Sequence, residues 1–411
     1  MIRCRLLVAV LLVASLESAS YANGYRLLGL RSTKAIAMGE AFIVQADDPS
    51  AIAFNPAGLG QLNGSHVRLE GTLCNQYTKW TSPSGGQTEN NESRWQLVPA
   101  AYASTSVGIT NMAMGFGISL PNGLASEWSK DGFARYVATY SDLMVIDFSP
   151  ALGVKLNDHL LLGAGLDYYY SRAKLQRMVD VGLMNGMPGA MDMESTLKGD
   201  GDAWGFNAGV IYHVNPRHGF ALTYRLPYTI DYDGDITVAD VKNDITADID
   251  YPAVIVAGYA YKPVEQWKFE VDVDWTDWDA VGDIVIKYRD PVSPDVVQAQ
   301  ELHSTFAFKA GVEHQLSEVW ALRLGYIYNE NATAEATWRP SMPDTDTHFL
   351  TGGFGFHKGP FTVDGALQFV FYETRTIVND VDFNKETSSS SIDGKYETFA
   401  PCVSLAAGYQ F

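Results

Sequence analysis

Three cations carry the most direct chemistry in this 411-residue chain: Arg225, Lys309 and Arg323, each at an inward position of an alternating stretch. A guanidinium or ammonium group facing a lumen can hold a carboxylate head group by charge-assisted hydrogen bonds. The competing reading is pairing with acidic side chains of neighbouring strands, which are plentiful, since 48 Asp and Glu stand against 29 Lys and Arg. A second kind of chemistry is apolar. Segment 121–142 carries Leu124, Trp128, Phe133, Tyr136 and Val137, and segment 176–200 carries Met178, Met184, Met187, Met191 and Met193. Apolar side chains on outer loops make a groove for a hydrophobic ligand, and Met adapts to varied apolar shapes; packing of one loop on another is the alternative. From Phe133 the apolar spacing of three, four and seven predicts a short amphipathic helix. Enzymatic patterns do not stand out. No His pair sits at helical spacing, and there is no nucleophile elbow and no phosphate loop, so no catalytic residue, metal or cofactor is expected. Asp231-Tyr232-Asp233-Gly234-Asp235 hints at calcium, but the closing position holds Lys242 and Gly is not sixth, so it reads as a strand end entering an acidic loop. A thioether copper site lacks a nearby His or Cys.

The elements that position these residues are strands. In the last sixteen residues Phe399, Val403, Leu405, Ala407, Tyr409 and Phe411 fall on one face, and Ala400, Cys402, Ser404, Ala406, Gly408 and Gln410 on the other. Trp267, Phe269, Val271, Val273 and Trp275 oppose Lys268, Glu270, Asp272 and Asp274 in the same way. A charge on the lipid face at mid-membrane costs ~2–4 kcal/mol, so the charged faces belong inside. About fourteen such stretches follow Ser65. Tight turns at Asn157-Asp158, Asn215-Pro216-Arg217, Lys262-Pro263 and Lys358-Gly359 alternate with long segments at 81–94, 121–142, 176–200, 237–248, 291–300, 333–346 and 379–395. That asymmetry predicts an all-β membrane protein, a 14-stranded antiparallel transmembrane β-barrel with short periplasmic turns and long outer loops. A secreted β-sandwich also alternates, but it needs neither the alternating loop lengths nor the aromatic terminus.

Residues 1–22 read as a signal peptide, with Arg3 and Arg5, an apolar run and Ser20-Tyr21-Ala22. After it no apolar run reaches the 18 residues of a spanning helix. The formal charge of −19 argues against a nucleic-acid partner. These observations place the chain in a bacterial outer membrane, bounded by its lipid and lipopolysaccharide. An even strand count sets Phe411 at the periplasmic rim.

Beyond this pattern, four stretches resemble the FadL/TodX family of outer-membrane transporters for long-chain fatty acids and other hydrophobic compounds. They are Asn23-Gly24-Tyr25-Arg26-Leu27 running into Ala46-Asp47-Asp48-Pro49-Ser50 and Asn55-Pro56-Ala57-Gly58-Leu59; Gly117 through Leu124; Gly132-Phe133-Ala134-Arg135-Tyr136 followed by Ser149-Pro150-Ala151; and Asp274-Trp275-Thr276-Asp277-Trp278. The resemblance implies a barrel over 64–411 plugged by a hatch over 23–63, with ligand captured at the outer loops, diffusion-driven passage and sideways release beside a kinked third strand. It makes Asn23, Gly24, Tyr25, Asn55, Pro56 and Ala57 the hatch and gating residues, and Gly115 and Gly117 the opening strand. The residues themselves leave two readings at each place: a moving or a static plug, and a wall opening or glycines that relieve crowding. A general diffusion porin and a structural surface barrel remain as alternatives. Phe411 resembles the signal by which the barrel-assembly machinery recognises its clients, and a monomer is expected. Since the last strand of a barrel pairs with the first, Cys74 and Cys402 are expected close together across the seam, as a disulfide or as two thiols.

Overall fold

The structure, a computed structural model, describes residues 24–108, 111–184, 187, 190–290, 293–382 and 391–411. Residues 1–22, expected as a signal peptide, and Asn23 lie outside them. Fourteen strand positions make one closed antiparallel wall. They are β1 (Ser65–Cys74, continued by Tyr77–Thr81), β2 (Gln96–Ser106), β3 (Met112–Glu127), β4 (Tyr140–Lys155), β5 (Leu160–Asp180), β6 (Asp192–Asn215) and β7 (His218–Arg225 and Tyr228–Val238). The circuit continues with β8 (Val241–Tyr251 and Val254–Val264), β9 (Trp267–Thr276 and Ile284–Tyr288), β10 (Val296–Gln298 and Thr305–Gln315), β11 (Trp320–Asn329), β12 (Thr347–Lys358), β13 (Phe361–Tyr372 and Arg375–Ile377) and β14 (Gly394–Gln410). Closure comes from β1 against β14, in register from His66↔Gln410 to Cys74↔Cys402.

Alternation explains the wall. On β14, Val403 and Leu405 are exposed where lipid would lie, while Cys402, Ser404 and Ala406, alternating with them, are buried. Turn chemistry sets the lower rim. The Asn157 side chain accepts from the backbone N–H of His159 and Leu160, and Asn215 does the same for Arg217 and His218. The strands outrun the membrane. At about 3.3 Å per residue, the 24 residues of β6 extend far beyond an apolar band of about 25 Å. Two expected loops are therefore mostly strand. Segment 237–248 is a hairpin turned by Ala239 and Asp240 in left-handed backbone (φ 49° and 67°), and most of 176–200 belongs to β5 and β6. Above the membrane both faces of these strands are polar or enclosed, so the apolar alternation fades while the backbone ladder continues.

The third strand departs from the wall at another place than the sequence suggests. Gly115 and Gly117 pair on both sides, with Ser104 and Tyr102 of β2 and with Ala151 and Ser149 of β4. A Cβ on either would press against Ile52, so these glycines make room for the N-terminal segment. The irregularity lies between Ser119 and Asn122, where Pro121 has no N–H to offer the ladder. The β2–β3 pairing runs from Ala101↔Ile118 to Ser106↔Ala113, so among the described residues Gln96–Ala100 of β2 pairs only with β1. Pro99 sits in that stretch, as suits a free strand edge.

Residues 24–63 lie inside the barrel with two short helices, Thr33–Ala37 and Ala51–Phe54, and a 3-10 turn, Pro56–Gln61. Nearly all their apolar side chains are buried.

Candidate functional site: an apolar cavity above a charged plug

The lumen has two storeys. In the lower one the N-terminal segment is tied to the wall by charges and backbone bonds. On β9, Glu270 accepts from the N–H of Val44 and Gln45, and Asp272 from Phe42 and Ile43. Asp274 holds Arg26 at 2.9 Å and Lys309 at 3.0 Å, and Lys309 also reaches Glu40 at 3.3 Å. Arg323 bridges Glu313 (2.7 Å) and Asp364 (2.6 Å), and Arg225 sits on Asp167 (2.7 Å) and Asp147 (3.3 Å). All three cations singled out in the sequence are thus occupied by carboxylates. A ligand head group would have to displace a buried partner, so Arg225, Lys309 and Arg323 are structural rather than ligand-binding.

Asn55 explains the local turn. Its carbonyl oxygen accepts from Ala57 N–H at 3.1 Å and its amide donates to the Ile43 carbonyl at 2.8 Å, while Pro56 starts the 3-10 turn in the geometry Pro prefers. Gly163 and Gly209 let this corner touch the wall, since a Cβ there would overlap the backbone of Pro56–Ala57 or the Asn55 side chain.

At the top of the segment, Tyr25 and Leu27 lie along the β3 irregularity. Leu27 N–H donates to Pro121 O, and Gly123 N–H to Tyr25 O. Chain from the plug therefore lines the wall on its inner side where β2 has no β3 partner. Gly24 (φ +58°) packs under Trp278. Tyr25 donates to Gln300 and packs on Tyr251 and Trp278. Tyr169, Tyr228 and Tyr251 stack face to face, with centroids 3.8 and 4.7 Å apart, and Asn122 donates to the Tyr228 hydroxyl. These rings form a floor.

Above the floor lies a cavity of about 200 Å³. Its walls are largely apolar, with Leu124, Val137, Leu143, Ile236, Ile286 and Met342 among them. Two guanidinium groups face it, Arg177 at the outer end of β5 and Arg339 in the loop before β12. Neither has a carboxylate partner among the described residues, and the Arg339 Nε is buried without an acceptor. Burial lowers the Arg339 pKa from its ordinary value, while nearby Tyr25 opposes that shift and Arg177 adds to it.

Of the apolar groove candidates, Leu124 and Val137 line this cavity. Trp128 and Phe133 do not. They are locked in one cluster with Trp80 of β1, Tyr396 of β14 and Trp338 of the loop before β12, Phe133 stacked on Trp80 at 4.1 Å. Tyr136 donates to Asp192 and carries Arg135 over its ring. The expected helix is a single turn closed by Ala138 N–H on Ala134 O, because the apolar side chains there point to different neighbours. Met187 is exposed, and the Met184 side chain lies outside the described residues. Arg177 and Arg339 were missed in the sequence because both fall in segments read as loops. The signal for Arg177 was present: it continues the inward parity of Tyr169, Ser171, Ala173 and Leu175.

Comparison with known proteins agrees with this architecture. A structure described as a Pseudomonas aeruginosa FadL homologue superposes with a TM-score of 0.80, at 19% identity, covering 95% of this chain and 100% of that one. The Pseudomonas putida toluene transporter TodX gives 0.71 at 14% identity, covering 95% and 99%. The long-chain fatty acid transport protein of Escherichia coli O6:H1 is 22% identical over 389 residues, 84% of this chain and 85% of that protein. The sequence profile described as outer membrane protein transport protein (OMPP1/FadL/TodX) matches residues 13–411, and the chain belongs to that family of outer-membrane transporters.

Proposed function

We propose that this outer-membrane transporter takes up amphipathic hydrophobic molecules with an anionic head, long-chain fatty acids being the substrate class. The observation that carries this reading is the pair Arg177 and Arg339, without carboxylate partners among the described residues, beside an apolar cavity. An acyl chain would lie against Leu124, Ile236 and Ile286 while the carboxylate takes the two guanidinium groups. Residues 24–63 act as the hatch. When Tyr25–Leu27 leave β3, the cavity floor joins the unpaired edge of β2, and the ligand passes sideways into lipid down its own gradient. A filled lumen speaks against a general porin, which needs an open water path. Phe411, exposed at the rim, serves recognition by the barrel-assembly machinery, and the protein works as a monomer among outer-membrane lipid and lipopolysaccharide.

The test is equilibrium binding of a long-chain acid, the alcohol of equal length and toluene to the purified protein and to the Arg177→Ala/Arg339→Ala variant. The acid should bind wild type most tightly and lose about tenfold or more in the variant, since hydrogen bonds to a charged group contribute ~1.5–3 kcal/mol. The alcohol should change little. Equal loss for all three, or preference for toluene, would make the ligand an uncharged hydrocarbon.

A further inference from the structure

Cys74 and Cys402 stand directly opposite each other where the first and last strands meet, with Cα atoms 4.2 Å apart and a bond between their sulfurs. Their sequence separation is 328 residues, so the bond closes nearly the whole barrel into a covalent ring. Three neighbouring features give it a place in the machinery. First, the seam ladder is weak at the adjacent residue. Pro401 has no N–H, and the exchange there is a single bond from Asn75 N–H to the Pro401 carbonyl at 3.2 Å. Second, Cys74 is also the register partner of Gln96, at the end of the β2 stretch that has no β3 neighbour. Among the described residues β1 is therefore the sole strand neighbour of that stretch, and whatever holds β1 holds one jamb of the wall opening. Third, the cystine is packed in an apolar cluster with Leu27, Leu28, Val98 and Leu120. These residues belong to the plug, to the free edge and to the kinked strand.

We propose that the Cys74–Cys402 disulfide is a seam latch. It ties β1, and through β1 the free edge of β2, to β14, so that movement of Tyr25–Leu27 opens the wall between β2 and β3 without parting the seam between β1 and β14. The burial of both sulfurs also dates the bond. Before β1 meets β14, the thiols are far apart along the chain. After Leu27 and Leu28 dock, no protein oxidant reaches them. Oxidation falls between seam pairing and docking of the plug. One thiolate attacks the disulfide of a periplasmic thiol–disulfide oxidant, and the second thiolate displaces that mixed disulfide. Two protons and two electrons leave the protein, and the oxidant departs as a dithiol. The latch rests on the wall geometry and not on the ligand, so a failed fatty-acid binding assay leaves it standing.

The experiment begins with protein purified without reductant, unfolded and alkylated. Peptides containing Cys74 and Cys402 should be alkylated only after reduction; alkylation of both beforehand overturns the proposal. Hydrogen exchange in detergent then compares wild type with Cys74→Ala/Cys402→Val, which keeps the cluster apolar where Ser would bury unpaired hydroxyls. Amides of Ser65–Cys74 and Gln96–Ala100 should exchange at least tenfold faster in the variant, those of Thr305–Gln315 at the wild-type rate, and ligand affinity should stay within twofold. Unchanged exchange in β1 and β2 overturns the latch. If the variant does not fold, wild type reduced in detergent replaces it with the same two outcomes.

Discussion

Two storeys of one lumen treat most of their cations in opposite ways, Arg31 below the floor being the exception, with Nη1 donating to the Ala53 carbonyl and Nε buried without an acceptor among the described residues. Below the tyrosine floor, Arg26, Lys309, Arg323 and Arg225 each lie within 3.3 Å of a carboxylate, and Glu270 and Asp272 are taken up by backbone N–H groups of the plug. Above it, Arg177 and Arg339 face apolar walls without a carboxylate partner among the described residues. Partnered charges fix a piece of chain in register. Unpartnered charges in a cavity are an invitation to a ligand that brings the missing charge. The lesson is that in this barrel a basic residue announces function only after its acidic neighbours have been counted in space.

The comparison breaks first at Asp274. Asp274→Ala strips Arg26 of its carboxylate and leaves Lys309 with Glu40 alone, in a site buried from water. Removing one partner of a buried pair costs ~3–5 kcal/mol, so the variant should unfold at clearly lower urea in micelles and show its plug amides exchanging quickly. A midpoint equal to wild type would mean that the lower charges are not structural. The opposite change above the floor should spare the fold. Arg339→Met replaces an unpartnered cation by an apolar chain of similar length. Folding should be unchanged or firmer by up to ~1 kcal/mol, while affinity for a long-chain acid falls about tenfold, or ~1.4 kcal/mol. If Arg339→Met destabilises as strongly as Asp274→Ala, the two storeys do not differ.

Much of the lower storey was legible in the sequence and little of the upper. Period-two alternation places Asp274, Lys309 and Arg323 inside because lipid forbids charge outside, and that constraint acts on every membrane-level residue. It does not say which partner each charge meets; Asp274 and Arg26 are 248 residues apart, and their contact depends on how the plug threads the barrel. Above the membrane the constraint lapses. The outward faces of β6 and β7 carry Asp200, Asp202, Asp231 and Asp233 in water, so the apolar signal ends although the strands do not. Trp128 and Phe133 misled for a related reason. An apolar loop residue buries itself against ligand or against neighbouring protein with the same composition, and only the Trp80 ring stacked on Phe133, with Trp338 in the same cluster, decides between them. Gly115 and Gly117 marked a close approach correctly in kind, but the kink belonged to Pro121, four residues beyond the second glycine.

The smallest expected effect tests whether the rule about partners extends to carboxylates in the upper loops. Glu89 has no cation beside it among the described residues. It accepts from Phe133 N–H at 3.2 Å, and its second oxygen is buried without a donor. Burial raises its pKa above the ordinary 4.5, and the backbone donors around Phe133 offset only part of that. The sign follows from proton counting. Between 4.5 and the raised value, the folded loop keeps a proton that the opened loop has released, so stability falls as pH rises through that window and is level above it. A paired carboxylate would behave in reverse, losing stability as pH falls. Exchange of the Phe133 amide, corrected for intrinsic rate, should therefore grow a few-fold from pH 4 upward and then flatten. Glu89→Gln, which keeps the acceptor and removes the charge, should abolish the dependence and hold the Trp80–Phe133 stack closed throughout. A profile that rises toward acid instead would place a cation beside Glu89 and make the upper loops electrostatically like the plug.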